Sequence, residues 1–297
     1  PREHNQYVLK HQRPNIVFVI LESWAAEGIG CLSNTKGATP RFDALAQEGL
    51  LFTKVYATGH TSEIGNSSLF SGQPSLPEIA ITLQPEKHRK LRCFNQDLKK
   101  WGYRSHYLFG GDLTYGNIGS YFTDHGFDEL ADEDDFPSGL SKGKLNYYDR
   151  DLYNEFLTRI NATKGPFMHC VFTGSTHSPY DHPKSNRQQW KGQESDFMNS
   201  LIYADQCLGD FIQKCKAQRW FDNTIFVFVA DHGHATPQYE DYSCNEFYRI
   251  PFLIWGEPLK EAYRGQCIDK VGSQTDIVAT LLHQMGQDYS AYPWSKD

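Results

Sequence analysis

The chain has 297 residues, of which 39% are hydrophobic and 22% charged, with a net charge of −7 at neutral pH. That length supports one large core or two unequal lobes, and the acidic balance argues against nucleic acid as a partner, so any attraction for phosphate has to be local. No apolar run reaches the roughly 18 residues needed to span a bilayer. The seven cysteines are odd in number and form no C-x-x-C pair. This disfavours a structural zinc site and leaves buried thiols, or one or two disulfides in an oxidising compartment.

In chain order, residues 1–13 are polar and patternless and read as a linker remnant, compatible with a lost anchor. Asn15–Leu21 is short, continuous and β-branched, the pattern of a strand buried on both faces, and Glu22-Ser23 follow at once. Thr39-Pro40 with Phe42, Leu45 and Ala46 predicts a helix, as do Cys93, Leu98 and Trp101. Arg104–Phe109 is a second strand, ending in Gly110-Gly111-Asp112. Phe167–Thr173 is a third, ending near Thr176-His177. From Asp196 to Gln218 the apolar residues Phe197, Leu201, Ala204, Leu208, Phe211 and Ile212 form a helical stripe. Thr224–Ala230 is a fourth strand, running into Asp231-His232, and Pro251–Trp255 a fifth. Ser273–Met285 predicts a last helix, and residues 288–297 read as an incomplete tail. Strands alternating with helices predict an α/β fold with a mainly parallel sheet.

Three of these strands end in residues able to bind a metal or a phosphate: Glu22, His177 and the Asp231-His232 pair. In open α/β sheets, ligands bind at the carboxyl ends of the strands, so residues distant in sequence converge there. Singly, each has a plainer reading as a turn residue or helix cap; their joint occurrence points to a site. Within Gly59-His-Thr-Ser-Glu-Ile-Gly65, Thr61 sits where a helix can begin, and free N–H groups there suit a hydroxyl that becomes phosphorylated. Its local alternative is an ordinary N-cap. A hydroxyl is a poor nucleophile unless a base or a metal activates it, and Glu22, Asp231 and His232 are able to hold such a metal.

The ordered set of strand-Glu22-Ser23, Thr39-Pro40-Arg41-Phe42-Asp43-Ala44-Leu45-Ala46, Gly59-His60-Thr61-Ser62, Asp231-His232-Gly233 and Gln274-Thr-Asp-Ile-Val-Ala-Thr-Leu-Leu282 resembles the sulfatase-like branch of the alkaline-phosphatase superfamily. Within it, the likeness is to the lipoteichoic acid synthase and phosphoglycerol transferase group, over about residues 14–287. The resemblance implies a three-layer α/β sandwich with a smaller C-terminal portion. It implies one divalent metal, most often Mn²⁺, with Mg²⁺ and Zn²⁺ as alternatives, held by Glu22, Thr61, Asp231 and His232. Thr61 is then also the nucleophile and forms a phosphothreonine, and His177 contacts the substrate phosphate or the leaving group. The implied substrate is a phospholipid head group or another phosphodiester. The implied location is the outer face of the cell membrane, reached through an N-terminal anchor that this sequence does not contain.

The sequence departs from neighbouring activities at several points. Sulfatases need a Cys or Ser within Cys/Ser-x-Pro-x-Arg for formylglycine, whereas Thr61-Ser-Glu-Ile-Gly65 has neither the Pro nor the Arg. A two-metal phosphatase or phosphodiesterase needs further histidines, for which His182, His234 and His283 are the candidates. Phosphoglycerol transferases carry a Trp and an Arg after a Gly-Asp motif. Gly111-Asp-Leu-Thr-Tyr-Gly-Asn-Ile-Gly119 has neither, which leaves Asp112, Tyr115 and Asn117 as candidate substrate contacts. A domain that binds a phosphoglycan or lipid without turning it over is the non-enzymatic alternative.

Overall fold

A computed structural model describes residues 6–76, 79–183, 190–191, 194–235 and 241–297. Nine strands form one sheet: β1 (Asn15–Leu21), β2 (Leu50–Tyr56), β3 (Arg104–Phe109), β4 (Glu129–Ala131), β5 (Phe167–Phe172), β6 (Thr224–Ala230), β7 (Arg249–Trp255), β8 (Gln266–Ile268) and β9 (Gly272–Ser273). Their spatial order is β4-β3-β5-β1-β6-β7-β2-β8, with β9 also on β2. β7 runs antiparallel to both its neighbours and every other pairing is parallel. The helices are α1 (Pro40–Glu48), α2 (Ser62–Ser71), α3 (Pro85–His88), α4 (Phe94–Lys99), α5 (Ile118–Asp124), α6 (Asp149–Ala162), α7 (Ser195–Cys215), α8 (Asn245–Tyr248) and α9 (Asp276–Gln284).

Every residue of β1, β5 and β6 is buried, as expected for central parallel strands covered on both faces. The register shows which helix covers which face. Val19 pairs with Phe228, so the two share a face, and Phe18 points to the other. Phe42 of α1 meets Phe228, whereas Phe70 of α2 meets Phe18. α1, α6 and α7 pack together on the first side, and α2, α4, α5 and α9 on the second. The result is the expected α/β sandwich, with helical layers on both sides of a mixed, mainly parallel sheet.

Each of the five predicted strands is present, the last beginning at Arg249 rather than Pro251. The part of the expected linker that is described is tied to the body. Leu9 is buried and bridges Leu259, and Val8 donates its N–H to Gln284 Oε1 at 2.6 Å. At the other end, Tyr292 is buried and donates to Asp97 Oδ2 at 2.6 Å. All seven cysteines are free, and Cys93, Cys170, Cys207 and Cys215 are buried.

Two packing details set the helices that flank the strand ends. Thr39 does not cap α1 with its side chain. The exposed N–H groups are met by Asp205 of α7, whose carboxylate accepts from Arg41 N at 2.9 Å and Phe42 N at 2.8 Å. Burial pushes the Asp205 carboxyl up to about 7, although the two amides pull it back. On the opposite layer, the first turn of α2 lies directly on the end of β6. A Cβ at Gly65 would overlap the Asp231 carbonyl oxygen.

Both details have measurable consequences. Gly to Ala in an open helix interior stabilises by about 1 kcal/mol. At Gly65 the sign reverses, and Gly65→Ala loses about 1–3 kcal/mol by overpacking in chemical denaturation; a stabilised variant contradicts the close approach. Asp205 has a folded pKa above its unfolded one, so its contribution is fully present below about pH 4 and fades as pH rises through about 7. In that window the protein loses stability relative to Asp205→Asn with a slope of up to about 1.4 kcal/mol per pH unit. Parallel stability–pH curves for the two proteins contradict the assignment.

Candidate active site

The parallel register that pairs Leu21 with Ala230 carries the chain of both strands out of the sheet side by side. The next residues are Glu22 and Asp231, 1% and 0% exposed. His232 completes the group. Its Nε2 lies 3.3 Å from Asp231 Oδ2 and 3.6 Å from Glu22 Oε1. Its Nδ1 donates to the Gly233 carbonyl at 2.8 Å, which leaves the lone pair of the neutral ring on Nε2. One ligand atom from each of the three residues lies within 4.8 Å of the others, and among the described residues this is the single such group of histidine, cysteine and acidic side chains.

The surrounding hydrogen bonds orient both acids. Glu22 N donates to Thr173 Oγ1 at 3.0 Å, Thr176 Oγ1 donates to the Glu22 carbonyl, and Glu22 accepts from Ser23 Oγ at 2.6 Å and Ser62 Oγ at 3.1 Å. Asp231 Oδ1 accepts from Ser23 N at 2.9 Å and His232 N at 2.8 Å. Asp231 Oδ2 is buried and accepts no hydrogen bond. Burial, then the neighbouring Glu22 charge, pushes Asp231 up to about 7, while His232 pulls it back. Burial pulls the His232 imidazole down, but Asp231 and Glu22 outweigh it and raise the group above its usual value. Two buried carboxylates side by side, one with an unsatisfied oxygen, are costly without a cation. Carboxylate, imidazole and hydroxyl donors suit a divalent ion such as Mn²⁺, Zn²⁺ or Mg²⁺. The cluster therefore has the donor set to hold a divalent metal ion.

Thr61 precedes the first residue of α2 in extended backbone, φ −132° and ψ 154°. A capping threonine accepts a hydrogen bond from the N2 or N3 amide; Thr61 does not, and its buried Oγ1 has no hydrogen-bond partner among the described residues. The next residue, Ser62, reaches Glu22 and stands 3.5 Å from His232 Nε2, so α2 begins against the cluster.

His177, half-buried beyond the end of β5, donates Nδ1–H to the Ser178 carbonyl at 2.6 Å. With Glu22, Ser62, Asp112 and Tyr115 it lines a cavity of about 320 Å³, to which Phe109, Leu145 and Phe172 add apolar surface. Asn117 does not line this cavity. It sits at φ +57° and donates its amide to the Thr82 carbonyl at 2.6 Å, tying its loop to the Ile81–Leu83 segment. His182, His234 and His283 do not join the metal-type cluster. His182 stacks on Tyr203 and His283 meets Asp297 Oδ2 at 2.5 Å. His234 stacks on Phe197 and shares a 2.9 Å hydrogen bond with the Tyr180 hydroxyl. Burial, then His232, pushes its imidazole down to about 4. Asn66 of α2 is 0% exposed, donating to the Ser62 carbonyl and accepting from the Tyr107 hydroxyl. Ser23, Ser62 and Thr173 were missed by sequence reasoning; a hydroxyl's turn towards an acid leaves no trace in residue order.

The sulfatase family model matches residues 14–287. A lipoteichoic acid synthase-like protein of Bacillus subtilis (strain 168) is 22% identical over 92% of this chain and 47% of its own length. Phosphoglycerol transferase I of Xanthomonas axonopodis pv. citri (strain 306) is 27% identical over 92% of this chain and 41% of its own. The chain thus spans less than half the length of these two relatives. Among solved structures, a protein in the alkaline phosphatase superfamily from Vibrio parahaemolyticus superposes with a TM-score of 0.86 at 29% identity, covering 98% of this chain and 71% of the other. With its sheet, its strand-end acids and a family match over nearly its whole length, the chain belongs to the sulfatase family, and it is similar to a lipoteichoic acid synthase-like protein, a phosphoglycerol transferase and a protein of the alkaline phosphatase superfamily.

Proposed function

We propose that this domain is a metal-dependent phosphoryl-group transferase that acts on phospholipid head groups through a phosphothreonine at Thr61. The observation that carries the reading is the Thr61 hydroxyl: buried, unbonded, and one residue from the serine that touches Glu22 and His232. The Thr-Ser-Glu-Ile-Gly stretch favours phosphate over sulfate, since it lacks the formylglycine pattern. The family likeness to phosphoglycerol transferases suggests the head group, with a cell-envelope location and a separate anchor as its corollaries. Among the described residues, no helix is long and apolar enough to cross a membrane.

Glu22, Asp231, His232 and Thr61 would hold the ion, Mn²⁺ in this reading. When bound, it supplies a positive charge that favours the alkoxide of Thr61 and offsets charge on the phosphoryl group. The Thr61 hydroxyl gives up its proton to solvent, and its Oγ1 forms a bond to phosphorus as the bond to the leaving alcohol breaks. The N-terminus of α2 adds backbone N–H groups and a partial positive charge beside the new ester. His177, with Nδ1–H committed to Ser178, passes the Nε2 proton of its doubly protonated ring to the departing oxygen and regains it from the incoming alcohol. A second alcohol then attacks the phosphothreonine and releases Thr61; water in that role makes the same site a phosphodiesterase. Asp112 and Tyr115 bound the space for the group that stays attached to phosphorus.

The test is intact-mass and peptide analysis after incubation with Mn²⁺ and phosphatidylglycerol. One glycerophosphate is expected on Thr61, none in Thr61→Ala, and an adduct still on Thr61 in Ser62→Ala. Full turnover by Thr61→Ala, or an adduct on Ser62, overturns the nucleophile assignment.

A further inference from the structure

Gln274, two residues before α9, is 0% exposed, and its side chain spans the two halves of the site. Its Nε2 donates to the Ala230 carbonyl at 2.9 Å and to the Asp231 carbonyl at 2.7 Å. Its Oε1 accepts from Thr58 N at 3.4 Å, and its own N–H donates to the Tyr56 carbonyl at 2.9 Å. One residue therefore grips both the end of β6, where Asp231 and His232 begin, and the end of β2, where the chain turns towards Thr61. The carbonyl it holds, that of Asp231, is also the atom against which Gly65 lets α2 pack. An amide is the side chain suited to this place, because it donates twice through one nitrogen and accepts through the adjacent oxygen. Glutamate keeps the shape but presents an acceptor to two carbonyl oxygens, and methionine keeps the volume but offers neither donor nor acceptor.

We infer that Gln274 is a positioning residue that fixes the distance between the Thr61 segment and the Asp231-His232 ligands. It touches neither the proposed ion nor the substrate and acts through the backbone of the residues that do. For catalysis the inference rests on the phosphoryl-transfer reading; for metal affinity it stands on geometry. Groups that orient metal ligands typically change affinity by about 10–100-fold when removed, and a misplaced nucleophile lowers the rate of the chemical step without weakening substrate binding.

The experiment compares Gln274→Met and Gln274→Glu with the unmodified protein and with Leu281→Ala, a buried position in α9 outside the site. Stability is measured in EDTA, Mn²⁺ affinity by calorimetry, and kcat and KM on phosphatidylglycerol. Both Gln274 variants are expected to bind Mn²⁺ roughly 10-fold or more weakly, with kcat reduced and KM unchanged. Leu281→Ala is expected to lose stability alone. Gln274→Glu, matched in size, decides the question if the methionine variant does not fold. Mn²⁺ affinity and kcat within twofold of Leu281→Ala overturn the inference and leave Gln274 a structural residue. If the unmodified protein shows no turnover, the phosphoryl-transfer reading fails, and the Mn²⁺ arm alone decides the role of Gln274.

Discussion

The structure depends on two carboxylates that leave the sheet side by side. Leu21 and Ala230 are paired in register, so Glu22 and Asp231 have no freedom to separate. Both are buried, and the Glu22 charge adds to the cost of ionising Asp231. Much of the neighbouring structure answers that cost. Ser23, Ser62, Thr173 and the His232 amide donate or accept around the two acids, and the His232 ring is held with Nε2 towards them. What these groups leave open is Asp231 Oδ2 and the Thr61 hydroxyl. In the proposed reading, one divalent cation would meet both and offset the charge of the two acids.

The sheet supplies the precision. β5, β1 and β6 are adjacent and parallel, so their carboxyl ends deliver the 173–177 segment, Glu22 and Asp231 to one edge. The helices supply Thr61. α2 approaches β6 as closely as backbone allows, which only a glycine at position 65 permits, and it begins where the chain leaves β2. The separation of Thr61 from Glu22, Asp231 and His232 is therefore set by backbone contacts within a packed core. Sites built in this way lose function through small displacements that barely change the fold.

The central strands were legible in the sequence because a strand buried on both faces is a continuous apolar run, as in Ile16–Leu21 and Ile225–Ala230. β2 was not: Leu50–Tyr56 carries the exposed Lys54 and a register shift between Phe52 and Val55, which break both the run and the alternation. α6 begins Asp-Arg-Asp and shows its apolar stripe weakly, so it escaped as well. At the site, Glu22, Asp231 and His232 were legible as polar residues directly after apolar runs. Ser62, Gly65 and Gln274 were not, because each acts on a residue 40 or more positions away in the chain. Asn117 looked like a pocket residue from its polar loop, but its backbone conformation turns it to Thr82.

The proposed function requires the Glu22–Asp231–His232 cluster to hold a divalent ion shared with Thr61. Crystals grown with Mn²⁺ and measured on both sides of the manganese absorption edge would locate that ion. One anomalous peak is expected at this cluster, bonded to Glu22, Asp231 and His232 and in contact with Thr61 Oγ1. A fully occupied ion elsewhere with this cluster empty, or an ion here that leaves Thr61 out of reach, contradicts the proposed function.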